Sequence, residues 1–321
     1  MKLHQDKNTF EQSVRAASQH LSIPERFIEK DYWISHVLSQ LAESEHANKL
    51  VFKGGTSLSK AYGLIDRFSE DVDLAVLGVE SMSSNQTKKL ISKVEKEITK
   101  DLAEVTDSPF LSKGSRYRKS LHAYDSSINS KDNRLIVEIS SFANPFPYEK
   151  MSIQSMIGLF MEQSSMPEFI EKHRLKSFEI NVLSKMQTML EKIVSLIRFS
   201  FDDKHVAALS EKIRHFYDLH FLSADPECML FLRDKSFKKK LHDLLEYDKA
   251  AFDEPQNWGS KNLSESPLII DFENLWNNLK NKYETELSEY AYRQIPNSEQ
   301  VYKSLKAIIE LINKQHPPPQ N

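Results

Sequence analysis

The chain has 321 residues, 40% hydrophobic and 28% charged, which suits one large domain or two modest ones and lies far from the disordered range. Lys plus Arg number 43 against 46 Asp plus Glu, a net charge of -3, so affinity for nucleic acid would have to come from a local patch. The single cysteine, Cys228, excludes an internal disulfide framework and a Cys-rich zinc site, and no apolar run approaches the roughly 18 residues that span a bilayer. MKLHQDKNTF at the N-terminus lacks the apolar stretch of a secretory signal, so the expectation is a cytoplasmic protein without membrane contact.

In chain order, residues 8–20 and 24–43 read as helices. In the second, Phe27, Ile34, Val37, Leu38 and Leu41 recur at helical spacing, and Pro24 sits just inside a start signal at Ser22. LVFKGG (50–55) is a short apolar run ending in glycines, hence a strand, and Thr56 or Ser57 then caps a short helix. DVDLAVL (71–77) is the next strand, and 84–104 is a helix of mixed charge. Strands follow at 117–124, at LIVEI (135–139) and at 174–182; LIVEI is apolar on both faces except for Glu138, as in a central strand. From Ser184 the pattern is helical. Met186, Met189, Leu190, Ile193 and Ile197 form one stripe; Val206, Leu209, Ile213, Phe216 and Leu219 or His220 form the next; further helices fall at 237–251, 270–287 and 299–315 before a frayed tail, HPPPQN. The expectation is an α+β domain over 1–183 and a helical domain over 184–321.

Glycine is scarce, seven in the chain, yet Gly54 and Gly55 are adjacent, which marks a place where the backbone does something special. Just beyond, Asp71 and Asp73 stand at i and i+2 on a strand and so share a face. Two like charges side by side repel, and a divalent cation such as Mg²⁺, which takes one or two carboxylates plus substrate phosphates, removes the conflict. The alternative is an exposed strand with solvated carboxylates. Gly54, Gly55, Thr56 and Ser57 between strand and helix make a phosphate cradle of close backbone approach, helix N-terminus and hydroxyl donors; the alternative is an ordinary strand–helix turn. Glu138, the lone charge in LIVEI, is the candidate third carboxylate, or else the partner of a nearby Lys or Arg.

A strand ending in Gly-Gly-Thr/Ser, a short helix and then Arg-x-Ser-x-Asp-x-Asp-Leu resembles the AbiEii/AbiGii toxin family of nucleotidyltransferases, within the DNA polymerase β-like superfamily. The matching residues are Gly54, Gly55, Thr56, Ser57, Arg67, Ser69, Asp71 and Asp73. EKDYW (29–33) resembles the family's upstream segment, and Leu190-Glu191-Lys192 and Arg214-His215-Phe216-Tyr217-Asp218-Leu219 resemble its downstream helices. The resemblance covers residues 24 to 222. It implies a nucleotidyltransferase-fold mixed sheet with flanking helices, and transfer of a nucleotidyl group from an NTP with Mg²⁺ or Mn²⁺. It also implies, in some members, a tRNA 3′ end as acceptor and an antitoxin partner. Asp71, Asp73 and Glu138 would then hold metal, Gly54, Gly55, Thr56, Ser57, Arg67 and Lys192 would bind the nucleotide, and Asp218 would position Lys192 or the acceptor. Two rival functions share the fold: transfer to a protein acceptor (AMPylation) and a catalytically silent binding module.

Plainer roles stand beside these. Glu191 and Lys192 could form a solvated helix face, Arg214 and His215 could pair with Asp218 along one helix, and Arg67 could brace its loop. Two basic clusters stand out: Lys113/Arg116/Arg118/Lys119, interleaved with Tyr117, is a candidate contact for an RNA acceptor, whereas Lys235/Lys238/Lys239/Lys240 reads as an exposed helix start with a solvated face.

Overall fold

Two helices open the chain, α1 (Lys7–Leu21) and α2 (Glu25–Glu43). Asp6 caps α1 by accepting from the Thr9 N–H, and Ser22, in the left-handed region at φ 55°, ends it. Ser22 therefore closes the first helix instead of starting the second, whose N-cap is Pro24. The computed structural model describes residues 1–69, 71–107, 111–128, 130, 133–142 and 145–315, so the tail expected at 316–321 lies outside the described residues.

The chain divides into two units, Met1–Gly63 with Phe68–Leu183, and Leu64–Arg67 with Ser184–Asn321. After α2 the first unit runs β1 (Leu50–Lys53), α3 (Gly54–Lys60), β2 (Asp71–Val76), α4 (Ser84–Ile98), β3 (Ala103–Val105), β4 (Ser112–Lys113), β5 (Tyr117–Ala123), β6 (Arg134–Ser140), β7 (Tyr148–Ile153), α5 (Met156–Gln163), α6 (Pro167–His173) and β8 (Phe178–Leu183). The strands form one mixed eight-stranded sheet in the order β3-β5-β6-β2-β1-β8-β7, with β4 on β5. β2 is antiparallel to β1 and parallel to β6, and β6 is antiparallel to β5.

On β2 and β6 one face is core: Val72, Leu74, Leu135, Val137 and Ile139 are buried, with α4 packed against β5 and β6. The other face carries Asp71, Asp73, Ile136 and Glu138, all half-buried. β6 is thus central in the sheet, as expected, but buried on one face only.

The helix expected over 84–104 stops at Ile98, where the Thr99 N–H and hydroxyl both donate to the Glu95 carbonyl, and Ala103–Val105 pairs with β5 instead. β7 was not expected, because five of its six residues are exposed or half-exposed and give no apolar alternation. The short helices α5 and α6 were also missed.

The second unit is helical: α7 (Lys185–Ser200), α8 (His205–Ser210), α9 (Ile213–Ala224), α10 (Pro226–Arg233), α11 (Lys235–Ala251), α12 (Pro267–Ile270), α13 (Phe272–Tyr290) and α14 (Ser298–Gln315). Ser184 caps α7, and Asp225 caps α10 with Pro226 at its first position. Ile193, Ile197, Phe216, Leu241, Trp276 and Ile308 lie in its core. The stripe read through 206–219 is split between α8 and α9. Among the described residues, no helix is long and apolar enough to cross a membrane.

Candidate active site

Strand register builds the centre of the site. Lys53 pairs with Asp73, Asp73 with Glu138, and Glu138 with Lys119, so four charged residues on β1, β2, β6 and β5 form one row across the sheet. In-register neighbours share a face. Asp71 lies one pleat away on that same face, opposite Ile136. The two aspartates and Glu138 are therefore neighbours on the half-open side of the sheet.

Gly54 makes room for this row. Its φ is +81°, and a Cβ built there would fall 2.1 Å from Asp73 Oδ2. Only glycine holds that backbone conformation without strain and leaves space for the carboxylate. α3 begins at Gly54 itself, with Lys53 as N-cap, so Thr56 and Ser57 lie inside the helix and do not cap it. Both are buried and donate inward: Thr56 Oγ1 to the Asp71 carbonyl at 2.5 Å, Ser57 Oγ to the Gly54 carbonyl at 2.8 Å. The hydroxyls expected to face a phosphate instead tie the turn to β2 and to itself. Gly55 is buried in the first turn of α3.

The EKDYW segment is buried in α2 and ties that helix to the end of α3 and to two neighbouring segments. Asp31 accepts from Lys60 Nζ at the end of α3 (2.5 Å) and from the Met156 N–H (2.7 Å). Glu29 accepts from Ser126 Oγ (2.7 Å) and from the Ser127 N–H (2.6 Å).

Both Glu138 oxygens are engaged. Lys119 Nζ lies 2.5 Å from Oε1, and the Tyr117 hydroxyl donates to Oε2 at 2.7 Å. Glu138 thus stands beside Asp73 in register and is also the partner of a lysine. Burial first, then Glu138, Asp73 and Asp71, raise the Tyr117 phenol above its ordinary value. Burial opposes the Lys119 ammonium, but Glu138, Asp71 and Asp73 outweigh it and raise its pKa. Tyr117 and Lys119 therefore both feel all three carboxylates. The sequence singled them out only as members of a basic cluster, and it offered no signal for Lys53; register alone places these residues here.

Hard carboxylate oxygens suit Mg²⁺ or Mn²⁺. The donor chemistry of Asp71 and Asp73 fits such an ion, with Gly54 kept bare beneath Asp73; Glu138 is engaged by Lys119 and Tyr117 and does not meet both aspartates within 4.8 Å.

The second unit holds a separate buried cluster. Asp218, on α9, is 0% exposed and accepts from Arg67 through Nε to Oδ1 and Nη2 to Oδ2, both at 2.7 Å. Lys192 Nζ, on α7, lies 2.7 Å from the same Oδ2. Burial alone would raise the Asp218 carboxyl, but Arg67 and Lys192 outweigh it and hold it well below the usual carboxylate range. Arg67, expected among the nucleotide-binding residues, is spent on Asp218 because a planar fork matches a carboxylate bidentately. Lys192 is buried, which rules out the solvated-face reading. Asp218 takes its cations from other elements and not from its own helix; Arg214 instead lies over the Tyr290 ring at 5.6 Å. His215 keeps an enclosed Nδ1 without a partner, and burial lowers its pKa well below the ordinary value.

The first basic cluster is largely neutralised within the fold. Lys113 pairs with Glu104 at 2.9 Å, Arg118 with Glu95, and Lys119 with Glu138, while Arg116 is exposed. In the second, Lys239 pairs with Asp243 at 3.4 Å and Lys240 lies over the Phe231 ring.

No curated protein matches the chain. Among solved structures, JHP933 from Helicobacter pylori aligns with TM-score 0.41 and 19% identity over 92% of this chain and 96% of that one. MenT4, a nucleotidyltransferase toxin from Mycobacterium tuberculosis H37Rv, aligns with TM-score 0.44 and 14% identity over 93% and 98%. The family model for the AbiEii nucleotidyl transferase toxin of Type IV toxin–antitoxin systems matches residues 36–303, and the chain belongs to that family.

Proposed function

We propose that the protein transfers a nucleotidyl group from an NTP, with Mg²⁺ or Mn²⁺ held by Asp71 and Asp73, to the 3′ hydroxyl of a tRNA. The observation that carries the reading is the pair Asp71 and Asp73 on one sheet face, Asp73 in register with Glu138 and Gly54 bare beneath it. A bound divalent ion would neutralise the triphosphate and the charge that develops as the α-phosphorus is attacked.

The chain's own residues do the rest. Backbone N–H groups at the first turn of α3, which lack intrahelical acceptors, supply phosphate donors beside the aspartates. The acceptor hydroxyl attacks the α-phosphorus, a new P–O bond forms, the bond to the β-phosphate oxygen breaks, and pyrophosphate leaves. Glu138 is the carboxylate placed to take the hydroxyl proton once Lys119 releases it; Tyr117 keeps Glu138 oriented meanwhile. The roles of Lys192 as a phosphate cation and Asp218 as its positioning residue rest only on the resemblance of their segments to the family, while in the fold the two pair with each other and Asp218 also with Arg67.

The tRNA acceptor and an antitoxin partner rest likewise on the family, since most of the nearby basic side chains are already paired within the fold. The test is incubation with each labelled NTP and total tRNA or cell lysate, with and without chelator. Label on tRNA that needs the divalent ion and is lost in Asp73→Asn supports the proposal. Label on protein alone transfers the reading to AMPylation, and no label on any acceptor overturns it.

A further inference from the structure

In the first unit, from segments on either side of the aspartate pair in the chain, a second set of ligand-type side chains converges. One ring nitrogen each of His4 and His36 and a carboxylate oxygen of Asp101 lie within 4.8 Å of one another; among the described residues this is the one group of three such side chains that meets that limit. They come from three separate segments: a single 3-10 turn (Leu3–Gln5), the middle of α2, and the turn after α4. We propose that His4, His36 and Asp101 bind a transition-metal dication of the Zn²⁺ class.

The chemistry selects the ion. Two imidazoles and one carboxylate form a borderline N/O donor set that prefers Zn²⁺ over Mg²⁺, and three protein ligands leave a fourth position open. His4 is already oriented by outer partners. The Tyr32 hydroxyl lies 2.8 Å from His4 Nδ1, and the His4 ring stacks on Trp33 with centroids 4.6 Å apart. Such outer partners fix ring orientation in metal sites. Between two of the ligands themselves, His36 Nε2 lies 2.8 Å from Asp101 Oδ2, so these two donors already stand close together. Tetrahedral zinc, with ligands at about 2.0–2.1 Å, sets donors about 3.3–3.4 Å apart, so small side-chain shifts complete the site.

Lys2 occupies the site's charge position. Its Nζ lies 2.6 Å from the same Asp101 Oδ2 that faces His36. Metal binding would displace this ammonium from Asp101 and replace the hydrogen bond between His36 and Asp101. Lys2, Tyr32 and His36 also line a cavity of about 270 Å³, together with His173. His173 is 2% exposed, and neither of its ring nitrogens has a hydrogen-bond partner. A buried imidazole without a partner is unusual; a water or small anion in the cavity would satisfy it. Bound metal would clip the N-terminal turn to α2 and to the turn after α4.

Zn²⁺ alone is titrated into tag-free full-length protein by calorimetry with Mg²⁺ in excess, and thermal unfolding is followed in parallel. The expected result is one Zn²⁺ per chain, a rise in Tm, and affinity lower by at least about 100-fold in His4→Gln and in His36→Gln. Lys2→Ala removes the competing cation without touching a ligand, and it should tighten binding by about tenfold. The Asp71→Asn/Asp73→Asn double variant should bind Zn²⁺ as the wild type does, which separates this site from the transfer site. Wild-type affinity in both histidine variants, or weaker binding in Lys2→Ala, overturns the proposal.

Discussion

Gly54→Ala tests the link between the glycine turn and Asp73. The substitution does two separable things. It places an L side chain at φ +81°, which costs about 1–2 kcal/mol for a non-glycine residue. It also sets a methyl group 2.1 Å from Asp73 Oδ2 and 3.0 Å from its Cγ, so the carboxylate must swing away. Gly63→Ala provides the matched control, because Gly63 has φ +60° with nothing within 4 Å of an added Cβ. Both variants should lose about 1–2 kcal/mol in urea unfolding. Only Gly54→Ala should lose transfer activity, by about 100-fold, since a misplacement near 1 Å at a reacting group costs that much. The assay is labelled-NTP transfer at saturating Mg²⁺, alongside unfolding of both proteins. If Gly54→Ala keeps wild-type activity while matching Gly63→Ala in stability, Asp73 has no role that depends on its position and the metal assignment fails.

Asp71→Asn and Asp73→Asn should each abolish transfer in the labelled-NTP assay while the protein still unfolds cooperatively; a retained rate in either would count against the pair. Lys119→Met should lower the Mg²⁺ concentration for half-maximal transfer, as Glu138 loses its competing ammonium, and a rise would show that Lys119 supports catalysis directly. Asp218→Asn leaves Arg67 and Lys192 buried around a neutral amide, so unfolding should become easier by about 3–5 kcal/mol. The Asp218 carboxyl is held below its ordinary 3.8 in the folded state, so its contribution is present above that pH and is lost as pH falls below it. Wild type and Asp218→Asn should therefore converge in stability in acid, and a gap that stays constant with pH would refute the buried-charge account. Ser57→Ala should cost about 0.5–1.5 kcal/mol of stability for its lost bond to Gly54 and leave NTP affinity unchanged in calorimetry, since the hydroxyl points inward.

By itself the sequence determined the local and the repetitive features. Helical spacing marked α2, α7, α11 and α14, and apolar runs ending in turn residues marked β1, β2 and β6. The i, i+2 spacing on a strand put Asp71 and Asp73 on one face, because side-chain alternation is a property of one strand alone. Gly54 was legible for a similar reason: two adjacent glycines in a glycine-poor chain signal backbone strain before any partner is known. Tertiary structure decided everything that depends on which segments meet. Register between β2, β6 and β5 set Glu138 beside Asp73 and Lys119 beside Glu138, and no pattern within a single strand encodes register across three. Arg67, Lys192 and Asp218 are separated by more than a hundred residues at the extremes, so whether each is solvated, paired or near a phosphate was open until packing buried them together. The same holds for Ser57, whose hydroxyl reads as a phosphate donor in the sequence and as an internal tie in the fold. It holds too for His4, His36 and Asp101, three residues without motif spacing that only the packing of the N-terminal turn and of α4 on α2 brings within reach of one ion.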